Sequence, residues 1–236
     1  SGNSNVAVGE SSLENNTTAS NNTAVGHQAG YTNSTGTNNA FFSYRAGYTN
    51  TTGASNVAVG LQSLFQNTTG SYNIAIGQQA LQANSTASGN TVMGYQAGYT
   101  NTTGSQNVAL GMYSLYSNTT ASNNTALGYQ AAYSNTTGTS NVAVGMNSLV
   151  TNTTGSNNVG LGLNALRLNV SGGSNVAIGT GALDSNTASN NTAVGYQALV
   201  LNTTGASNVA LGTDALFYNT TASSNTTVGY QAGYAN

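Results

Sequence analysis

The sequence contains no cysteine, no proline and no tryptophan, and only 3% of its 236 residues are charged. Without cysteine, the chain has neither disulfide bonds nor thiolate metal ligands. The charges are too sparse to create the field that attracts nucleic acid or an anionic membrane, so we expect no nucleic-acid partner. No apolar run approaches the roughly 20 residues that span a bilayer, and we expect no membrane insertion. The charged residues are Glu10, Glu14, Arg45, Arg167, Asp184 and Asp214.

Asparagine, threonine, serine and glycine take the place of charge, in a tandem repeat that covers the chain. The motif Asn-(Val/Thr)-Ala-(Val/Ile/Leu)-Gly returns every 17 residues from Asn5 to Asn225, with a single step of 16. We number the repeat positions 1 to 17 from this asparagine. A second asparagine, at position 12, recurs in every repeat from Asn16 to Asn236. The sequence therefore predicts one continuous array over residues 1–236, which starts and ends within a repeat and which we expect to be a piece of a longer fibre protein.

The alternation of side chains within the motif predicts a β-strand. Positions 2 and 4 share one face of that strand and position 3 lies on the other. Glycine at position 5 ends the strand, and a second short strand is predicted around positions 8 and 9, as at Ser63 and Leu64. Because position 4 is apolar in every repeat, we expect it to form a buried ladder. Its members are Val8, Val25, Phe42, Val59, Ile76, Met93, Leu110, Leu127, Val144, Leu161, Ile178, Val194, Leu211 and Val228.

The short repeat locates the connection between coils. It lacks one residue within Asn186–Asn190, and loops tolerate deletions better than strands do. The Asn-Thr-Thr-Gly segment is therefore predicted to be a turn. Stacked coils of this kind give an all-β fold, a parallel β-solenoid of about fourteen 17-residue coils.

Two further patterns concern packing. Threonine or alanine at position 2 usually accompanies glycine or alanine at position 9 and tyrosine at position 10, as at Tyr48 and Tyr99. We expect positions 2 and 9 to lie close together across the coil interior, with the tyrosine rings filling the space that leucine leaves. The asparagine columns are predicted to form ladders of amide hydrogen bonds along the array. The alternative is that these asparagines serve only as turn formers.

Alanine at position 3 predicts assembly. An exposed β face normally carries polar residues, so a row of methyl groups suits close approach to another sheet. We expect a homotrimer in which these alanines face the partner chains. They are Ala7, Ala24, Ala58, Ala75, Ala109, Ala126, Ala143, Ala177, Ala193 and Ala210.

The motif resembles two groups of proteins. Asn-Val-Ala-Val-Gly, as at 56–60, is similar to the head repeats of trimeric autotransporter adhesins of the YadA type. The resemblance implies a left-handed parallel β-roll whose three chains pack around one axis. The longer form Asn-Thr-Ala-Val-Gly-Tyr-Gln-Ala-Leu, at 191–199, resembles repeat arrays of bacteriophage tail fibres and large surface proteins. The present coil is longer than the adhesin repeat, which lacks the Asn-Thr-Thr-Gly turn.

Catalytic chemistry is not expected. General acid–base catalysis needs titratable groups within hydrogen-bond reach of each other. His27 stands alone at position 6, where other repeats carry tyrosine, and is interpreted as a surface variant. Glu10 and Glu14 fall at different positions of one repeat, and no glycine-rich loop leads into a helix. We predict no catalytic, cofactor-binding or metal-binding residue and no cofactor.

The function predicted from the sequence is structural: a shaft or head segment of a fibre on the cell surface or the virion surface. Its partners would be copies of itself and a host-surface glycan or protein receptor. Two alternatives are an ice-binding solenoid, from the paired threonines such as Thr51 and Thr52, and a carbohydrate-binding platform made of tyrosine rows. Asn-x-Thr sequons at Asn50, Asn67 and Asn101 are potential glycan acceptors or simply turn sequences.

Overall fold

The computed structural model describes residues 2–235, so Ser1 and Asn236, the last member of the second asparagine column, lie outside it. The described chain is all β, with fourteen strands of three residues and no helix. The strands are β1 (Val6–Val8), β2 (Thr23–Val25), β3 (Ala40–Phe42), β4 (Val57–Val59), β5 (Ile74–Ile76), β6 (Thr91–Met93), β7 (Val108–Leu110), β8 (Thr125–Leu127), β9 (Val142–Val144), β10 (Val159–Leu161), β11 (Val176–Ile178), β12 (Thr192–Val194), β13 (Val209–Leu211) and β14 (Thr226–Val228).

The chain divides into two compact units after Ser122, with β1 to β7 in the first and β8 to β14 in the second. Within each unit, consecutive strands pair in parallel and in chain order. Each residue lies opposite its counterpart in the next repeat, as Ala58 lies opposite Ala75. Both units are therefore parallel β-solenoids, as the repeat predicted.

The 16-residue repeat keeps this register. Ala177 of β11 pairs with Ala193 of β12 although one residue is missing between them. The deletion falls in the Asn186–Asn190 segment, outside any strand. The prediction that this segment is a connecting turn is confirmed.

The inside and the outside of the strand are the reverse of the prediction. Position 3 is the inward position: Ala58 and Ala143 have no exposed surface. The position-4 residues that were expected to form a buried ladder point outward, and none of them, from Val8 to Val228, is buried. Val59, for example, is 37% exposed. Side-chain alternation showed which residues share a face. The larger aliphatic residues at position 4 were predicted to be the inward ones, but the interior next to the strand is filled mostly by the alanines of position 3.

The predicted second strand is also wrong, because positions 6 to 11 form a turn. Leu64 and Leu115 at position 9 adopt left-handed backbone angles, with φ of 50° and 47°. That conformation costs a non-glycine residue about 1–2 kcal/mol. Both side chains are at most 1% exposed, and burying a leucine contributes about 1.5–3 kcal/mol. Burial therefore offsets the backbone strain and directs the leucine into the coil.

The interior neighbour of position 9 is position 3, not position 2 as expected. Position 2 faces outward, and Tyr48 lies half-buried on the outside instead of filling the coil. Phe41 at position 3 occupies the space next to Gly30 and Gly47. A β-carbon added at Gly47 would lie 2.5 Å from Phe41 Cε1, and one added at Gly30 would lie 2.7 Å from Phe41 Cδ2. A large residue at position 3 therefore requires glycine at position 9.

Asparagine at position 12 forms the predicted ladder. Asn67 Nδ2 donates to Asn50 Oδ1 at 2.6 Å, and Asn84 Nδ2 donates to Asn67 Oδ1 at 2.8 Å. The same Nδ2 of Asn67 also donates to the carbonyl of Gly70 at 2.9 Å. These side chains are fully buried, so the ladder satisfies amide groups that would otherwise be orphaned in the interior.

Asparagine at position 1 is bonded differently. Asn56 Oδ1 accepts the backbone N–H of Asn73 at 2.9 Å, and Asn56 Nδ2 donates to the Gly70 carbonyl at 2.9 Å. Amide-to-amide contacts in this column are longer, such as 3.2 Å from Asn73 Nδ2 to Asn56 Oδ1. The Gly70 carbonyl thus accepts from Asn56 and from Asn67. Both columns are ladders, but the first runs mainly from side chain to backbone.

Candidate functional surfaces

The titratable residues do not assemble into a reactive site. His27 Nε2 lies 3.7 Å from Glu10 Oε2, and the imidazole stacks on the ring of Tyr44 at 5.3 Å between centroids. Within residues 2–235, no three histidine, aspartate or glutamate side chains come together to hold a metal ion. The surface of that part of the chain also contains no pocket.

Arg167 and Asp184 form a structural ion pair between neighbouring coils. Arg167 Nε donates to Asp184 Oδ1 at 2.7 Å and Nη2 donates to Oδ2 at 2.9 Å. This hydrogen bonding, followed by the charge of Asp184, raises the pKa of Arg167 above its ordinary value. The bidentate pair occupies the guanidinium edge, which leaves this arginine no role in binding a ligand.

The outward side chains at positions 2 and 4 make an apolar surface in each unit, which we call the strand face. Position 4 supplies its exposed aliphatic residues, such as Met93 at 47% and Leu161 at 42% exposure. Position 6 extends it after the glycine turn with exposed residues such as Leu61 and Met146. Contiguous apolar patches of this kind mark interaction surfaces. These apolar columns are evident in the sequence, but position 4 was predicted to lie inside the coil.

The tyrosines at position 10 form stacked rows. The ring centroids of Tyr31 and Tyr48 are 5.1 Å apart with nearly parallel planes, and Tyr48 and Phe65 are 5.3 Å apart. Tyr99 and Tyr116 stack in the same way at 5.2 Å. Because neighbouring rings cover each other's faces, the rows present mainly ring edges to the outside. A sugar needs an open ring face to stack upon, so these rows do not favour the carbohydrate platform.

The threonine turns leave only one row of free hydroxyl groups. At position 13, Thr51 Oγ1 donates to the backbone carbonyl of Thr68 at 2.9 Å, and Thr68 repeats the bond to Ser85 at 3.0 Å. At position 14, Thr52 and Thr69 are exposed. The short coil lacks position 14, which interrupts this row in the second unit. Within residues 2–235, the turns do not form the flat array of two aligned threonine rows that the ice-binding alternative requires.

The recurring Asn-x-Thr sequons fall into a buried set and an exposed set. Asn50, Asn67 and Asn101 at position 12 are at most 2% exposed, and their Nδ2 atoms are engaged in the ladder. A glycan on any of them is incompatible with the folded coil, and the turn interpretation applies. A different set of sequons, starting at Asn21, Asn123 and Asn190, lies on the exposed position 17. These three sequons were not predicted as glycan acceptors, although each is an Asn-Asn-Thr triplet.

Both units belong to the class of parallel β-solenoids, and their surfaces carry few charged residues. Comparison with known protein families, with curated proteins and with solved structures finds no match. Residues 2–235 contain no helix with the length and apolar character needed to cross a membrane.

Proposed function

We propose that this chain is a structural segment of a fibre on a cell surface or virion surface, and that it assembles with copies of itself through the strand face. The observation that supports this most directly is the outward apolar column at position 4, which is half-buried or exposed in every coil of both units. Isolated in water, such a face is a liability. Covered by a second copy, it becomes a stabilising interface.

The interior supports a structural role rather than a catalytic one. Its polar groups are asparagine amides tied to each other and to backbone carbonyls, which leaves no side chain poised for acid–base chemistry. The chain has only two basic residues, both arginine, and thus few sites for trypsin-like proteases. Resistance to cleavage suits an extracellular appendage.

We propose a homotrimer as the assembly, with a corrected interface. Of the alanines expected to face the partner chains, all except Ala7 in the first strand are buried within their own coil, as Ala109 and Ala143 are, and are unable to contact another chain. The strand face takes their place, since three such faces around an axis cover one another without leaving an open apolar side. The resemblance to trimeric adhesin heads supports the same number of chains.

Light scattering on the native chain tests this assembly. We expect a mass three times the chain mass of 23.6 kDa. The double variant Val59→Glu, Leu110→Glu brings like charges together in the interface and is expected to be monomeric but folded, because both side chains point outward. The matched control is Thr69→Glu, Thr120→Glu, which adds the same charge to exposed turns of the same two coils and is expected to remain trimeric. An unmutated chain that is monomeric at micromolar concentration contradicts the proposal.

A further inference from the structure

Arg45 is the one basic residue of the first unit other than His27, and its guanidinium is held in place by three contacts. Its Cζ lies 5.1 Å from the ring centroid of Tyr44 and 5.2 Å from that of Tyr48. Its Nε donates to Gln28 Oε1 at 2.7 Å. Cation–π contacts of this geometry are favourable and restrict the side chain. The charge is therefore fixed on the surface rather than mobile in solvent.

The two arginines of the chain differ in which N–H groups of the guanidinium remain available to a ligand. Arg167 uses Nε and Nη2 for both oxygens of Asp184. Arg45 has no ion pair with any carboxylate of residues 2–235, and within that part of the chain its Nη groups meet no hydrogen-bond acceptor. Arg45 Nε is used by Gln28, so Arg45 offers the end formed by its two Nη groups, whereas Arg167 binds its carboxylate through the edge formed by Nε and Nη2.

The surroundings of Arg45 indicate the rest of the ligand. The same position in the neighbouring coils carries Gln28 and Gln62. These side chains are uncharged and form hydrogen bonds of the kind that the hydroxyl groups of a ligand accept and donate. Glu10, the acid closest in the position-6 row, is directed to His27 at 3.7 Å. The site therefore combines one oriented cation with uncharged donors and acceptors.

We propose that Arg45, positioned by Tyr44, Tyr48 and Gln28, binds the carboxylate of a sugar acid, with hexuronic acids as the ligand class. A planar guanidinium matches a carboxylate through two parallel hydrogen bonds, and the amides of Gln28 and Gln62 meet the sugar hydroxyls. This inference rests on the proposed function, since it assigns a contact with a host-surface glycan to one place on the fibre. It does not use ring stacking, because the tyrosine rows cover their own faces.

The test compares the binding of glucuronic acid and of glucose to the full chain by titration calorimetry. The two sugars differ only at C6, which is a carboxylate in the acid and a hydroxymethyl group in glucose. We expect the acid to bind with a dissociation constant of about 1 mM, glucose to bind at least ~10-fold more weakly, and added salt to weaken the binding of the acid. Arg45→Gln restores the residue found at this position in the adjacent coils. It is expected to fold normally by circular dichroism and to lose at least ~10-fold in affinity.

Arg167→Gln is the matched control, because it removes the same charge from a paired arginine and is expected to leave binding unchanged. Equal binding of glucose and glucuronic acid, full binding by Arg45→Gln, or no binding of the acid at about 10 mM overturns the inference. Light scattering on the same samples separates this result from the assembly. If the chain is a monomer that binds glucuronic acid through Arg45, the binding site is supported and the assembly proposal is contradicted. If the chain is a trimer that does not bind the acid, the assembly proposal is supported and the binding site is contradicted.

Discussion

The buried asparagines are the residues on which the interior of each coil depends. Aliphatic side chains alone would leave the inward carbonyl at position 15 without partners. Asparagines at positions 1 and 12 both donate to that carbonyl, as Asn56 and Asn67 do to Gly70. Each also uses its oxygen as an acceptor from the following coil. The amide is suited to both roles because it carries two donors and an acceptor on one planar group.

Replacing one rung of the ladder is expected to destabilise the first unit. Asn67→Ala removes the donor to Asn50 Oδ1 and Gly70 O and the acceptor for Asn84 Nδ2. Buried groups left without a partner cost about 1–3 kcal/mol, and we expect a loss of this size in the free energy of unfolding, measured by urea denaturation. Thr69→Ala, two residues along the same turn and exposed, is the control and should change stability little. Equal effects of the two substitutions would contradict the ladder as a source of stability.

The position-12 ladder could be predicted from the sequence because a strict repeat stacks identical residues in register, and asparagine is able to bond to its own copy. The convergence of two asparagines on one carbonyl could not be predicted. It depends on the path of the turn, which brings Gly70 between Asn56 and Asn67. Nothing in the periodicity fixes that path.

At the scale of the coil, the fold is one short strand followed by a long turn with left-handed residues. The sequence predicted the strand, its parallel register and the turn at the short repeat. It reversed the inside and outside of the strand, because aliphatic residues at position 4 were assumed to be the core. The core side chains come instead from position 3 and from the turn, as Ala58 and Leu64 show. A strand pattern does not predict a leucine with a φ of 50°. The turn that supplies the core was therefore predicted to be a second strand.

The pairing of positions 3 and 9 leads to a prediction about the third coil. Phe41→Ala alone leaves a void beside Gly30 and Gly47 and is expected to cost about 3–5 kcal/mol. Gly47→Leu alone forces a side chain into the ring of Phe41 and is also destabilising. The double variant Phe41→Ala, Gly47→Leu reproduces the pairing of Ala58 with Leu64 in the next coil. We expect it to be more stable than either single variant, as measured by urea denaturation.

The control for this cycle is Thr52→Ala, which truncates an exposed turn residue of the same coil, outside the strand face. We expect its effect on unfolding to be well below that of Phe41→Ala, because an outward side chain leaves no cavity. Additive losses in the Phe41 and Gly47 double variant would show that the two positions do not share one space.

At the scale of the molecule, the two units repeat one arrangement: an uncharged, hydrogen-bonded interior and an apolar strand face outside. The composition predicts a structural role, and that role stays a proposal. The homotrimer also stays a proposal, but the column predicted to face the partner chains was wrong. The outward apolar row is position 4 rather than the alanines.

The scarcity of ionisable groups also determines how stability responds to pH. The fold raises the pKa values of Arg167 and Tyr234 above their ordinary levels. The pKa of Arg167 is raised by its hydrogen bond with Asp184 and by the charge of that carboxylate. The pKa of Tyr234 is raised by partial removal of the phenol from water and then by the neighbouring Tyr218. A raised pKa contributes stability that is complete below the unfolded value and is lost as the pH rises through the folded value. The ordinary values are 12.5 for arginine and 10.0 for tyrosine, so both contributions are lost only in alkali.

We therefore expect the midpoint of thermal unfolding to stay constant between about pH 6 and pH 9 and to fall only above about pH 10. Circular dichroism melts at fixed ionic strength measure this directly. Tyr234→Phe removes the phenol and should reduce the alkaline fall without changing the midpoint near neutrality. Arg167→Gln should lower the midpoint by the same amount at every pH from about 6 to 9, because the arginine is fully charged throughout that range. A midpoint that changes by several degrees between pH 6 and pH 8 would show that a group titrating near neutrality is linked to folding, against this expectation.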